Sequence, residues 1–76
     1  MKPTVECKRN CIAVRTKHQT EILYDTDLKQ MMDKYESCSE YCDAVYDYFA
    51  EAFEDEELSY KDIIGAAKKV YRNLKE

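Results

Sequence analysis

Apolar residues recur at intervals of three and four positions through the middle of the chain, and this periodicity constrains the fold more than any other feature. They fall at Leu28, Met31, Tyr35, Cys38, Cys42, Val45, Phe49 and Ala52. Such spacing places an apolar face along an α-helix. Asp25, Thr26 or Asp27 can cap its start by accepting backbone N–H bonds. We therefore predict one long helix over residues 27–54.

A second apolar helical face follows near the C-terminal end. It is formed by Tyr60, Ile63, Ile64, Ala67, Val70, Tyr71 and Leu74. Ser59 can act as the N-cap, and Asp62 stands three residues later, where a capping box places its acid. We predict a second, shorter helix over residues 59–75 that returns alongside the first.

The first 24 residues are rich in Val, Ile and Thr and show a different pattern. Ile12 and Val14 are two positions apart, the spacing at which side chains share one face of a strand. Two short strands that turn near residues 17–20 account for this pattern, so we predict a β-hairpin within residues 1–24. A helix over residues 5–18 is the alternative. The expected fold class is α+β, with the hairpin packed on the long helix; an all-α helical hairpin or bundle is the alternative.

The chain has 76 residues, so we expect a single domain over residues 1–76. A domain this small has room for a core but not for an enclosed substrate pocket as well. No catalytic motif places a Ser or Cys beside His18, the only histidine, and the sequence has no glycine-rich phosphate loop. These features favour a protein that is not an enzyme and uses no cofactor.

The sequence contains neither an apolar run of membrane-spanning length nor an apolar signal core in its first ten residues. We therefore expect a cytoplasmic protein that does not bind a membrane. For a phage-encoded protein this would be the cytoplasm of the host cell.

Charge is strongly segregated along the chain. Residues 1–20 carry five basic and one acidic side chain, net +4, whereas residues 21–58 carry two basic and thirteen acidic side chains, net −11. Residues 59–76 carry five basic and two acidic side chains, net +3. Seven carboxylates fall opposite the apolar face of the predicted long helix, and we call this set the acidic stripe: Asp33, Glu36, Glu40, Asp43, Asp47, Glu51 and Glu54. At about 1.5 Å per residue the stripe would be about 32 Å long.

The acidic stripe is the basis of the functional prediction. Like charges at this spacing repel one another, so the stripe lowers helix stability. It is either a solvated face, a face covered by the protein's own basic ends, or a binding surface. With Tyr41 and Tyr48 at its edge as aromatic anchors, the stripe can imitate nucleic-acid phosphates and bind a basic surface of another protein. Small acidic inhibitors encoded by phages, including some anti-CRISPR and anti-restriction proteins, are similar in size and composition. The likeness implies an inhibitor that contacts a nucleic-acid-binding protein and no nucleic acid directly.

The second predicted helix offers another partner for the stripe. Its outer face carries Lys61, Lys68, Lys69, Arg72 and Lys75. An acidic and a basic face on the same small protein can pair between two copies, and a symmetric arrangement would bury both at once. A homodimer is therefore a further prediction.

The four cysteines form two pairs with C-x3-C spacing, Cys7 with Cys11 and Cys38 with Cys42. We favour the interpretation that Cys38 and Cys42 are small apolar residues of the core and bind no metal. A zinc site built from all four thiolates is one alternative, and two disulfides are another. In the last case the paired motifs resemble the twin-cysteine chaperones of the mitochondrial intermembrane space. The alternative function is thus a small structural protein stapled by its four cysteines.

Overall fold

The computed structural model describes residues 3–75 and begins with a three-stranded antiparallel sheet. Its strands are β1 (Thr4–Lys8), β2 (Cys11–Arg15) and β3 (Thr20–Leu23), in the order β1-β2-β3. Ile12 pairs with Cys7 on one side and with Leu23 on the other. Residues directly opposite in an antiparallel sheet share one face, so these three side chains point to the same side, where Ile12 and Leu23 are buried.

Two tight turns connect the strands. Arg9 and Asn10 have positive φ values of 51° and 63°, the backbone of a two-residue turn that matches the twist of antiparallel strands. The side-chain oxygen of Asn10 also accepts a hydrogen bond from Asn73 Nδ2 at 3.1 Å, which ties this turn to the C-terminal part of the chain. In the second turn, the hydroxyl of Thr16 accepts the backbone N–H of Gln19 at 3.1 Å.

The predicted hairpin is confirmed and is part of a larger sheet. The turn expected near residues 17–20 is the second turn, between β2 and β3. β1 is an additional strand that was not predicted. Only Val5 and Cys7 lie on its inner face, and two apolar positions are too few to show the alternation typical of a strand. The alternative helix over residues 5–18 is wrong, because the first turn falls in the middle of that range.

Three helices follow, α1 (Asp25–Lys34), α2 (Cys38–Ala52) and α3 (Tyr60–Lys75). The α+β class is confirmed, but the prediction of one continuous helix over residues 27–54 is wrong. α1 ends at Tyr35, which has an extended backbone with φ −107° and ψ 136°. Ser37 then caps α2, since its Oγ accepts the backbone N–H of Glu40 at 3.1 Å. Side-chain capping satisfies a donor that the first helical turn leaves free, and so begins a new helix.

Each of the two predicted helix starts is supported by a local hydrogen bond. Ser59 caps α3 by accepting the backbone N–H of Asp62 at 3.3 Å, so the predicted helix over residues 59–75 is confirmed. At the start of α1, the carboxylate of Asp27 accepts the backbone N–H of Tyr24 at 3.1 Å. The N-cap of α1 is thus Tyr24 and none of the three predicted residues, while Asp27 supports the helix start from its third position.

The inner face of the sheet and the three helices enclose the hydrophobic core. Its largest fully buried side chains come from the sheet and from every helix: Ile12, Val14, Leu28, Tyr41, Val45, Phe49, Ile63 and Val70. α3 packs against α2 and against β1 and β2, while α1 packs against α2. Every helix within residues 3–75 is too short or too polar to cross a membrane.

Candidate protein-interaction surface

The break between α1 and α2 divides the predicted acidic stripe. Asp33 lies on α1, Glu36 lies in the linker, and Glu54 lies beyond the end of α2. The other four residues lie on α2, and we call them the α2 acidic face: Glu40, Asp43, Asp47 and Glu51. All four are exposed, and their spacing of three and four positions puts them on one side of α2, opposite its buried side. At about 1.5 Å per residue they span about 16 Å, half the predicted length.

Among residues 3–75, the α2 acidic face forms no salt bridge with a lysine or arginine. The salt bridge found within residues 3–75 joins Arg15 to Glu6 at 3.4 Å, on the sheet. None of the described lysine or arginine side chains is in salt-bridge range of the four carboxylates. Repulsion of like charges at i and i+4 costs about 0.2–0.5 kcal/mol per pair. The negative field of this face is therefore directed into solvent.

Asp43 has one side-chain hydrogen bond, which joins the α2 acidic face to α3. Tyr60 Oη donates to Asp43 Oδ1 at 3.1 Å, and the Tyr60 ring packs edge-on against Tyr46 with 5.0 Å between centroids. The bond to the carboxylate raises the pKa of the Tyr60 hydroxyl, because it stabilises the protonated phenol. The bond is exposed to solvent, so Asp43 remains available to a partner.

A groove of about 530 Å³ runs between α1 and α2 and includes part of the α2 acidic face. Its apolar lining consists of Leu23, Met31, Tyr35, Ala44 and Tyr48, and its polar lining consists of Asp27, Gln30, Lys34, Asp47 and Glu51. A smaller depression continues from it toward the start of α2, where Glu40 and Asp43 join the lining. Ala44 lines both parts, so the groove depends on a small side chain at this position. We call the whole feature the α1–α2 groove.

A cation of the protein itself already lies in the α1–α2 groove. Lys34 Nζ is 5.6 Å from the centroid of the Tyr35 ring, within the range of a cation–π interaction. Both residues line the groove. The Tyr35 ring therefore forms a wall of the groove that attracts the positive charge of Lys34. Lys34 takes part in no salt bridge among the described residues.

The two predicted tyrosine anchors lie in different environments. Tyr41 is wholly buried; its hydroxyl donates to the carbonyl of Ala67 at 3.1 Å, and its ring centroid is 5.5 Å from that of Tyr71. The prediction that Tyr41 flanks the stripe is therefore wrong: it precedes Cys42 on the buried side of α2. Burial also raises the pKa of the Tyr41 hydroxyl. Tyr48 is 40% exposed and lines the groove, so it can contact a partner.

Cys38 and Cys42 lie at the edge of the core. Cys42 is buried and Cys38 is half-buried against the core, with 3.9 Å between their sulfur atoms, against about 2.05 Å in a disulfide. Burial and the hydrogen bond with Cys38 raise the pKa of Cys42 to about 12. Cys42 is thus placed in the core as a small apolar side chain, as predicted, whereas Cys38 is only half-buried.

The other cysteine pair is divided between the two faces of the sheet. Cys7 pairs with Ile12 on the buried face, whereas Cys11 pairs with Lys8 on the opposite face. A tetrahedral site made from all four thiolates is therefore not assembled, and residues 3–75 contain no group of three or more His, Cys, Asp or Glu side chains placed to hold a metal ion. The likeness to twin-cysteine chaperones fails as well, because Cys7 and Cys11 lie on strands. Burial raises the pKa of Cys7.

Several residues of this surface were outside the sequence-based prediction. Met31 and Tyr35 were assigned to the apolar face of the long helix, and Ala44 had no role. A usable signal was present at Ser37 and Glu40, whose S-x-x-E spacing is that of a capping box. It predicts a helix start inside the periodic run, and hence a second helix beside which a groove can form.

Comparison of the chain with family models, with curated proteins and with solved structures finds no match. The candidate function therefore rests on the geometry and charge of this surface.

Proposed function

We propose that the protein is a non-enzymatic inhibitor whose α2 acidic face occupies the basic, nucleic-acid-binding surface of a partner protein. The observation that supports this proposal is the row formed by Glu40, Asp43, Asp47 and Glu51, exposed on one side of a helix and unpaired with any described cation. Over about 16 Å of helix this is a carboxylate every 5 Å or so, the same order as the charge spacing of a nucleic-acid strand. As in small acidic phage inhibitors, the protein would act in the cytoplasm in which its target works.

The mechanism is competition for a shared surface. A row of carboxylates steers a basic partner toward α2 and selects it over neutral or acidic proteins, while a few central contacts supply most of the affinity. Tyr48 is an exposed aromatic side chain beside the row and is suited to such a contact. While α2 is bound, nucleic acid is excluded from the same lysines and arginines of the partner.

The test reverses the centre of the row. Tagged wild-type protein and the variant Asp43→Lys with Asp47→Lys are used to capture nucleic-acid-binding proteins from a lysate of the source organism. We expect the reversed variant to lose these proteins, and we expect added DNA or RNA to release them from the wild type. Capture by the wild type, and its difference from the reversed variant, should weaken as salt is raised, because exposed charges are screened within about 8 Å at physiological ionic strength. Release by added DNA or RNA should weaken in the same way.

Two controls separate charge position from other effects. Glu56→Lys with Glu57→Lys makes the same change in net charge in the segment between α2 and α3 and should retain binding. Tyr60→Phe removes the hydrogen bond to Asp43 without changing a charge and should also retain binding. If the reversed variant captures and inhibits the same partner as strongly as the wild type, then the α2 acidic face is only a solvated helix surface.

A further inference from the structure

The α1–α2 groove combines two properties that a charged helix surface alone does not have. Its interior is apolar and aromatic, formed by Met31, Tyr35 and Tyr48, while Asp47 and Glu51 place carboxylates in the same lining. A side chain that fits both must have an apolar stem and a cationic end, as lysine and arginine do. The groove therefore complements a long basic side chain better than it complements a small cation or an apolar one.

We propose that the α1–α2 groove binds an arginine side chain of the partner protein. The inference rests on the proposed function and deepens it by naming the group that is recognised. A guanidinium is planar and weakly hydrated, so it stacks on aromatic rings such as those of Tyr35 and Tyr48. It also donates two parallel hydrogen bonds to one carboxylate, which a lysine ammonium does not do. Arginine is thus the basic side chain that uses the whole lining.

The position of Lys34 supports a cationic occupant and adds a condition. Its Nζ lies 5.6 Å from the Tyr35 ring centroid inside the same groove, so this wall already attracts a cation. A partner's arginine must displace Lys34 or share the groove with it, and two cations at close range repel. Lys34 is therefore an internal competitor, and its removal should strengthen the binding of arginine.

The first experiment compares hexa-arginine with hexa-lysine as probes, by calorimetry and by NMR of the labelled protein. An exposed acidic face would favour hexa-arginine only through bidentate bonding to its carboxylates. Because the groove adds stacking on Tyr35 and Tyr48, we expect hexa-arginine to bind several-fold more tightly at equal salt, by a margin that the groove variants below reduce. We also expect it to shift the methyl resonance of Met31 and the amide resonances of Ala44 and Tyr48.

Two variants change the groove without changing its charge. Ala44→Leu fills the point at which both parts of the groove meet, and Leu is a good helix former. Tyr48→Leu removes an aromatic wall and keeps an apolar one. Each should weaken the binding of hexa-arginine more than that of hexa-lysine and so reduce the preference for arginine. Tyr24→Leu is the matched control, because Tyr24 is 55% exposed and lies outside the groove lining.

A third variant tests the role assigned to Lys34. Lys34→Gln should increase the affinity for hexa-arginine more than Lys29→Gln does. Lys29 is an exposed lysine on the same helix and lies outside the groove lining, so its removal reports the general effect of one positive charge. Equal effects of the two substitutions would contradict a competitor role for Lys34.

The outcomes separate this inference from the proposed function. Equal affinity for the two peptides, with shifts confined to residues such as Glu40 and Asp43, would overturn the groove inference and leave the proposed function standing. No binding of either peptide would count against both. If the Met31 and Ala44 resonances instead change on dilution of the protein alone, a second copy of this chain is the occupant and the inference is wrong.

Discussion

Replacing Tyr41 by Phe removes a single buried hydroxyl and keeps the aromatic ring in the core. The hydroxyl donates to the carbonyl of Ala67 at 3.1 Å, and the ring packs against Tyr71. Because Ala67 lies within α3, its carbonyl also accepts the helical bond from four residues later and is not left unsatisfied. The substitution should therefore cost only the net value of the hydrogen bond, about 1 kcal/mol in the free energy of unfolding.

The assay is urea and thermal unfolding followed by far-UV circular dichroism. In a domain of this size a loss of about 1 kcal/mol lowers the melting temperature by about 4–8 °C, and the dependence on urea should keep its slope because the buried area is unchanged. Tyr48→Phe is the matched control, since the Tyr48 side chain is 40% exposed, and its effect should stay within about 0.5 kcal/mol. Binding of a partner should be unaffected by Tyr41→Phe. An unchanged midpoint for Tyr41→Phe, together with a lowered one for Tyr48→Phe, would refute the assignment of Tyr41 to the core.

Three further predictions concern the helix break, the buried thiol and self-association. Ser37→Ala should lower the free energy of unfolding by about 1 kcal/mol through loss of the α2 cap, measured by urea unfolding. Burial raises the pKa of the Cys42 thiol from 9.0 to about 12, so the stability that this shift contributes is complete below pH 9 and is lost as the pH rises toward 12. Cys42→Ala should cost about 1–2 kcal/mol at pH 7 and flatten this alkaline decline. A homodimer held by opposite charges should dissociate as salt rises, and a monomer in sedimentation at low salt and high concentration would contradict it.

Features with a local cause were predictable from the sequence. The start of α3 depends on Ser59 and its nearest neighbours, and the turn after β2 depends on Thr16 and the three residues that follow. In each case the residues that make the hydrogen bond are adjacent in the chain. Local patterns of this kind are therefore sufficient to place these boundaries.

The helix break was not predicted because apolar periodicity does not report backbone continuity. Tyr35 and Cys38 keep the three-residue spacing across the break, although Tyr35 and Ser37 have extended backbones. The burial of Tyr41 was missed for a related reason. The buried side of α2 is wider than the stripe of Cys38, Cys42 and Val45, since α3 covers it from a second direction.

The α1–α2 groove could not be predicted from the sequence. It exists because Ala44 of α2 lines the same cleft as Met31 of α1 and Tyr35, the residue that follows α1. That arrangement depends on how two separate helices pack, which a sequence pattern within one element does not contain. The carboxylates in its lining were part of the sequence-based prediction, whereas the groove that they line was not.

The hydrogen bond between Asn10 and Asn73 bridges 63 positions of sequence, and this separation bears on how the chain folds as it leaves the ribosome. The strands β1 and β2 emerge well before α3, the helix that covers them. Until residues beyond 70 are free, the apolar side of the sheet lacks its cover, and unpaired strand edges of such incomplete chains are prone to aggregation. Completion of the native core is therefore expected to follow synthesis of this segment, with the slower rate typical of contacts between distant positions.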